Sequence, residues 1–117
     1  MAVNAAGLNY MLDQLRATKI GYMALCTDDT ATTEVTGGSP AYARKAVTWD
    51  AAGTGGAGKI QLNGTLPTFD VPACTVKSVA FYDAATAGTQ YAMYNVTDET
   101  FAAQGVYLIT SGSITLT

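Results

Sequence analysis

The stretch Glu34-Val-Thr-Gly-Gly-Ser-Pro-Ala-Tyr-Ala-Arg44 runs directly into Lys45-Ala-Val-Thr-Trp49, and this order of residues organises the predicted fold. The two adjacent glycines accept positive φ without steric cost, while Pro40 fixes its own φ and keeps the preceding residue extended. The pattern therefore predicts a tight loop that delivers the chain into a strand from Tyr42 to Trp49. Because the glycine–proline loop offers no nucleophile, base or metal ligand, its predicted role is structural.

Two interpretations of Arg44 stay open at this point. A guanidinium offers five donors in a fixed fork, so Arg44 can bond a turn aspartate within the chain. It can instead reach across a subunit or capsid boundary, with Tyr42 as a neighbouring anchor. Trp49 is predicted to belong to the core.

The composition predicts a single domain that is partly covered by neighbours. The 117 residues suit one domain, over residues 1–117, with one modest core. Only 13% of the residues are charged, against a typical share of about 25%. Such sparse charge predicts self-association, and closed symmetry around a shared apolar patch favours a homotrimer.

Charge and hydropathy exclude several classes of function. The net charge is −3 and the chain has no basic run, so nucleic-acid binding is not expected. Gly, Thr and Asn residues break the longest uncharged stretches, so no transmembrane helix is predicted. No signal peptide is predicted either, because the N-terminus lacks a basic region followed by an apolar stretch. The two cysteines, Cys26 and Cys74, match no metal-ligand spacing. They are interpreted as buried apolar residues, with a disulfide as the alternative.

An enzyme is not predicted, and no cofactor or metal is expected. The chain has no histidine, which removes the usual nucleophile–base pairs. Its carboxylates lie mostly in predicted turns, where they are typical capping groups; examples are Asp28, Asp29, Asp98 and Glu99. A calcium site built from Asp28, Asp29 and Glu34 was the alternative, but these residues lack EF-hand spacing.

Helical periodicity is confined to the N-terminus. An i, i+3, i+4, i+7 pattern predicts a helix over about residues 4–17, carried by Leu8, Met11, Leu12 and Leu15. Asn4 is a plausible N-cap. A helix this short needs tertiary contacts. It docks either on its own sheet, the favoured interpretation, or on a neighbouring subunit.

Extended patterns fill the remainder, from about residue 19 to residue 117. Turn signals every 8–12 residues predict an antiparallel β-sandwich or jelly roll with one N-terminal helix. The segment from Pro67 to Pro72 is predicted to be an edge strand or an extended arm, because prolines bracket it. The last two strands, 105–110 and 113–117, are predicted to form a hairpin through Ser111-Gly112. The other predicted strands cover 19–26, 42–49, 74–82 and 89–96.

Several segments resemble one family of phage proteins. The Glu34–Arg44 segment is similar to a Glu-Val-Thr-Gly-Gly-x-x-Tyr-Ala-Arg segment of small virion proteins in tailed phages of actinobacteria. These proteins are variously called minor tail, tail-fibre-like or head-decoration proteins. Further segments resemble the family as well: residues 6–9 together with residues 12–15, Met23–Thr27, Phe69–Pro72, Val96–Phe101 and Gln104-Gly105. Many members are expected to have histidine where this chain has Cys26.

The resemblance implies a virion location after synthesis in the cytoplasm of the bacterial host. A compact β-domain with sparse charge and a gripping helix favours capsid decoration, with the major capsid protein as partner. The alternative is a minor tail or tail-tip protein that binds tail proteins and a host receptor or carbohydrate, because aromatic rings can stack on sugars. The residues predicted to form an interface are Leu8, Tyr10, Pro40, Tyr42, Arg44 and Phe69.

Overall fold

The computed structural model describes residues 3–116. Within this range the chain forms one helix and nine strands, so the predicted class, mainly β with one N-terminal helix, is confirmed. In chain order the elements are α1 (Ala5–Thr18), β1 (Tyr22–Cys26), β2 (Lys45–Ala46), β3 (Thr48–Trp49), β4 (Lys59–Asn63), β5 (Thr68–Val71), β6 (Cys74–Tyr82), β7 (Gln90–Phe101), β8 (Gly105–Leu108) and β9 (Ser113–Thr115).

The described strands pair in antiparallel fashion and form three sheets, an arrangement compatible with a β-sandwich. The largest sheet has the order β2-β1-β6-β7. A three-stranded sheet has the order β3-β4-β9, and β5 pairs with β8 alone. Since β5 lies between Pro67 and Pro72 and has one partner, the predicted edge strand is confirmed.

The core lies against both faces of β1. Met23 to Cys26 have no accessible surface, as expected for a strand whose residues are apolar on both faces. One face packs into the main cluster, where Trp49 and Phe81 meet edge to face with ring centroids 5.0 Å apart. The other face, at Cys26, lies beneath Ala31 of the following loop.

The helix begins at its predicted cap and docks on its own chain. Asn4 Oδ1 accepts a hydrogen bond of 2.9 Å from Gly7 N. Leu12 is fully buried in the main core. Asn9 Oδ1 accepts from Gly58 N at 2.8 Å, and Asp13 Oδ1 accepts from Ala52 N at 2.9 Å. These bonds tie the glycine-rich loop before β4 to the helix.

The predicted strand from Tyr42 to Trp49 is wrong in two respects, because residues 42–44 are not in a strand and the remainder is divided between two sheets. Lys45–Ala46 pairs with β1, whereas Thr48–Trp49 pairs with β4. Val47 N donates to Gly21 O, and the Trp49 indole N donates to Ile20 O at 2.9 Å. The segment therefore forms a corner at which the chain changes sheets. Trp49 belongs to the core, as predicted.

The predicted C-terminal hairpin is also wrong. β8 pairs with β5 and β9 pairs with β4, so Ser111-Gly112 connects two separate sheets. Each strand places an apolar side chain opposite another one, Tyr107 opposite Phe69 and Ile114 opposite Ile60. These non-local pairings place Phe69, Tyr107 and Ile60 in the core.

Candidate functional site

In the glycine–proline loop, the two glycines have the predicted positive φ, and the loop is held by a residue to which the sequence assigned no contact. Gly37 and Gly38 have φ values of 87° and 98°. Gln104 fixes the loop from both sides, since its Oε1 accepts from Ser39 N and its Nε2 donates to Pro40 O, each at 3.0 Å. Pro40 is exposed on this tethered loop and remains open to a partner.

Arg44 forms a clamp inside the chain. Its Nε and Nη2 donate to the two carboxylate oxygens of Glu34 at 3.0 and 2.9 Å, which is a bidentate ion pair. Its Nη1 donates to the carbonyl oxygens of Ala84 and Ala87 at 3.0 and 2.7 Å. The hydrogen bonds to Glu34 raise the pKa of Arg44.

The clamp joins two segments that lie far apart in the sequence. The Arg44 guanidinium lies over the ring of Tyr82, with Cζ 3.6 Å from the centroid. It thereby ties the segment around Glu34 to the turn between β6 and β7. The intramolecular interpretation of Arg44 is the one observed, with a glutamate and two carbonyls in place of a turn aspartate. Only 9% of its side chain is exposed, so its contact with a neighbouring subunit stays a prediction.

Tyr42 supports the clamp from beneath. Its hydroxyl accepts from Leu25 N at 2.9 Å and donates to Glu34 Oε2 at 2.8 Å. Burial is the main reason why the pKa of this phenol is raised above its ordinary value. The ring stacks on Phe69 with the centroids 6.0 Å apart. Phe69 has no accessible surface, so it can support an interface only from below.

The two predicted interface residues of the helix differ in exposure. Leu8 is partly buried and lies against Gly58. Tyr10 is 66% exposed and its neighbour Met11 is 43% exposed. The exposed residues of α1 carry no charge; they are Ala5, Ala6, Tyr10, Met11, Gln14, Ala17 and Thr18. We call Ala6, Tyr10, Met11, Gln14 and Ala17 the outer face of α1.

An uncharged outer face is unusual, because surface helices ordinarily present charged side chains to water. The two charged residues of α1 pair with each other at the side of the helix, where Arg16 Nε donates to Asp13 Oδ1 at 2.7 Å.

Sequence reasoning missed a second exposed apolar feature on β8. Val106 and Leu108 are 52% and 62% exposed, while Tyr107 between them is buried. The alternation around Tyr107 was the signal that could have located this outward pair.

Asp28 acts as the predicted capping group, whereas Asp98 and Glu99 do not lie in a turn but in β7, where Asp98 pairs with Lys77 at 3.9 Å. Asp28 accepts from the backbone amides of Thr32 and Thr33 and from the hydroxyls of Thr30 and Thr32. These bonds, that of the Thr32 hydroxyl above all, lower the pKa of Asp28. Among the described residues, no three His, Cys, Asp or Glu side chains come close enough together to hold a metal ion.

Both cysteines are free thiols. Cys26 has no accessible surface, and burial raises its pKa to about 11, so the thiol stays protonated. Cys74 is partly exposed, and burial raises its pKa as well. Across residues 3–116 there is also no helix long and apolar enough to cross a membrane.

The clamp lies in the wall of an open cavity of about 320 Å³. One side of the cavity is the segment 34–37, and the other is the turn that carries Ala85, Thr86 and Ala87. Glu34 and Arg44 both contribute to its wall. The cavity therefore combines one neutralised ion pair with small, exposed alanine and threonine side chains.

Comparison with known proteins relates these features to a virion. No curated protein and no solved structure matches the chain significantly. One family model does match, described as podophage GP4 fiber I protein gp80, and it aligns with residues 4–117. Since this match covers nearly the whole sequence, the chain belongs to the family of podophage GP4 fiber I protein gp80 and is a structural component of a phage virion.

Proposed function

We propose that the chain is a non-enzymatic structural subunit of a phage fibre and that the virion carries it as a homotrimer. The observation that carries the proposal is the outer face of α1, where Tyr10 and Met11 are exposed and no residue is charged. Tyrosine and methionine are enriched at protein interfaces, while charged residues are depleted at their centres.

The occupant of the outer face is a second copy of the chain. Around a closed symmetry axis each side chain lies near its own copies, so a charged residue there would face like charges. The outer face avoids this repulsion, although the chain as a whole carries a net charge of −3. Ala6 and Ala17 leave room for the aromatic ring of a neighbouring Tyr10.

Sedimentation equilibrium tests the assembly. The monomer mass is 12.1 kDa, and we expect a species of three times that mass in the micromolar range. Tyr10→Glu places like charges around the axis and should shift the equilibrium to the monomer. Ala102→Glu adds the same charge at an exposed turn and should not. A monomeric wild type, or equal behaviour of the two variants, would contradict the trimer.

Two kinds of virion protein are candidates for the partner that attaches the chain to the particle. The fibre description of the family favours tail proteins as the binding partner. Capsid decoration, with the major capsid protein as partner, is the second candidate. It is favoured by a body of only 48 × 24 × 21 Å whose sequence contains no shaft-forming repeat. Antibody labelling of intact particles separates them, since label at the tail supports the first and label over the whole shell supports the second.

We further propose that the chain is synthesised in the cytoplasm of the bacterial host. The free thiols of Cys26 and Cys74 suit that reducing compartment.

A further inference from the structure

The cavity beside the Arg44 clamp has hydrogen-bonding groups that the fold leaves unused. Arg44 has five N–H donors, and four of them are taken: Nε by Glu34, both on Nη1 by Ala84 and Ala87, and one on Nη2 by Glu34. One N–H of Nη2 therefore has no partner within the described residues.

Glu34 has a matching unused acceptor. A carboxylate offers about four lone-pair sites. Oε2 accepts from the Tyr42 hydroxyl and from Arg44 Nε, whereas Oε1 accepts only from Arg44 Nη2. A free donor and a free acceptor thus lie on atoms 2.9 Å apart in the wall of the cavity.

This pairing selects a chemical class of ligand. The ion pair is neutral as a whole, so a charged ligand would lose hydration without gaining a counter-charge. Hydroxyl groups both donate and accept, so two hydroxyls of one ligand can satisfy the free donor and the free acceptor. Thr36 and Thr86 add further hydroxyls to the wall, and Ala85 and Ala87 provide apolar surface for C–H groups.

We propose that this cavity binds a neutral polyhydroxyl ligand, a sugar of one or two rings. Its volume of about 320 Å³ lies at the lower end of the range of roughly 300–1,000 Å³ for small-molecule sites. The clamp holds both walls in place before any ligand arrives, which reduces the ordering cost of binding. The inference goes beyond the proposed assembly and does not depend on it.

Titration of the isotope-labelled chain with sugars, followed by ¹H–¹⁵N spectra, tests the site. The neutral probes are galactose, glucose, mannose and lactose, with glucuronate and glucosamine as charged counterparts. We expect at least one neutral sugar to cause saturable shifts in the amides of Thr36, Gly37 and the turn 85–87. The charged counterparts should bind at least tenfold more weakly.

A pair of variants locates the binding. Thr86→Trp fills the cavity from an exposed turn position and should weaken binding at least tenfold, while its well-dispersed spectrum shows that it folds. Ala102→Trp adds the same ring at another exposed turn and should bind like the wild type. Saturable shifts with none of the neutral sugars would overturn the proposal, as would undiminished binding by Thr86→Trp or equal affinity for glucuronate.

Discussion

The Arg44 clamp and the outer face of α1 each contain a residue that was predicted to form an interface, Arg44 and Tyr10, yet the two side chains are used in opposite ways. Arg44 donates four hydrogen bonds within its own chain and is almost enclosed. Tyr10 keeps most of its surface open and has no charged neighbour among the exposed residues of its helix. Residue type therefore indicates which side chains are able to form contacts, while the fold determines whether those contacts are made within the chain.

The largest expected difference between the two regions concerns their aromatic rings. Phe69→Ala removes the ring beneath Tyr42 and leaves a cavity in the core, so we expect the free energy of unfolding to fall by about 3–5 kcal/mol. Tyr10→Ala removes a ring of similar size from the outer face of α1 and should change the stability of the monomer by about 0.5 kcal/mol or less. Urea unfolding at a concentration where the protein is monomeric measures both. Equal losses would mean that the two regions do not differ in packing.

The next difference concerns two arginines that each pair with a carboxylate. Arg44→Ala leaves Glu34, which is 24% exposed, without its counter-charge, and should lower the free energy of unfolding by about 2–4 kcal/mol. Arg16→Ala breaks the partly exposed pair with Asp13 and should cost less than about 1 kcal/mol. Thermal unfolding of both variants provides the measurement. An unchanged unfolding midpoint for Arg44→Ala would show that the clamp does not stabilise the fold. It would favour a contact between Arg44 and a neighbouring subunit.

A single hydroxyl gives a smaller and cleaner difference. Tyr42→Phe deletes the group that joins Leu25 N to Glu34 and should cost about 1–2 kcal/mol, because a buried amide loses its acceptor. Tyr10→Phe deletes a hydroxyl from the outer face of α1 and should leave the stability unchanged. Denaturant unfolding of the pair resolves the two outcomes. If both variants match the wild type, Tyr42 contributes to the clamp by packing alone.

The smallest expected effect is the response of two partly exposed, hydrogen-bonded carboxylates to acid. The pKa values of Asp13 and Asp28 are lowered below 3.8, by hydrogen bonds that exist only in the folded chain. Below pH 3.8 the unfolded state therefore binds more protons, so stability present above that pH is lost as the pH falls through the folded pKa values. Asp28→Asn should make the decline shallower in thermal scans from pH 5 to pH 2. An unchanged slope would show that Asp28 contributes no pH dependence.

Local patterns in the sequence predicted the parts of the fold that depend on near neighbours. The Asn4 cap, the burial of Leu12 and the strand Cys74–Tyr82 follow from short-range patterns, whereas Met11 of the predicted apolar helix face is exposed. The chain's change of sheet at Val47 and the separation of β8 from β9 do not, because both result from pairing with distant strands. Alternation of apolar and polar residues predicts which side chains share a face of a strand. It does not predict which other strand that strand pairs with.

The candidate site shows the same limit. The fork of Arg44 and its reach toward an acceptor were predictable from residue chemistry. Its partners were not, because Glu34 lies ten positions away and Ala84 forty, and only the fold brings them together. Gln104 was missed for the same reason, since its contacts with Ser39 and Pro40 span more than sixty residues.

A cryo-EM reconstruction of the intact particle at side-chain resolution tests the central claim most directly. The account predicts a fibre in which Tyr10 and Met11 are buried against another copy around a three-fold axis, while Arg44 stays bonded to Glu34 of its own chain. A map in which the outer face of α1 lies in solvent, or in which Arg44 bonds a neighbouring subunit, would contradict it.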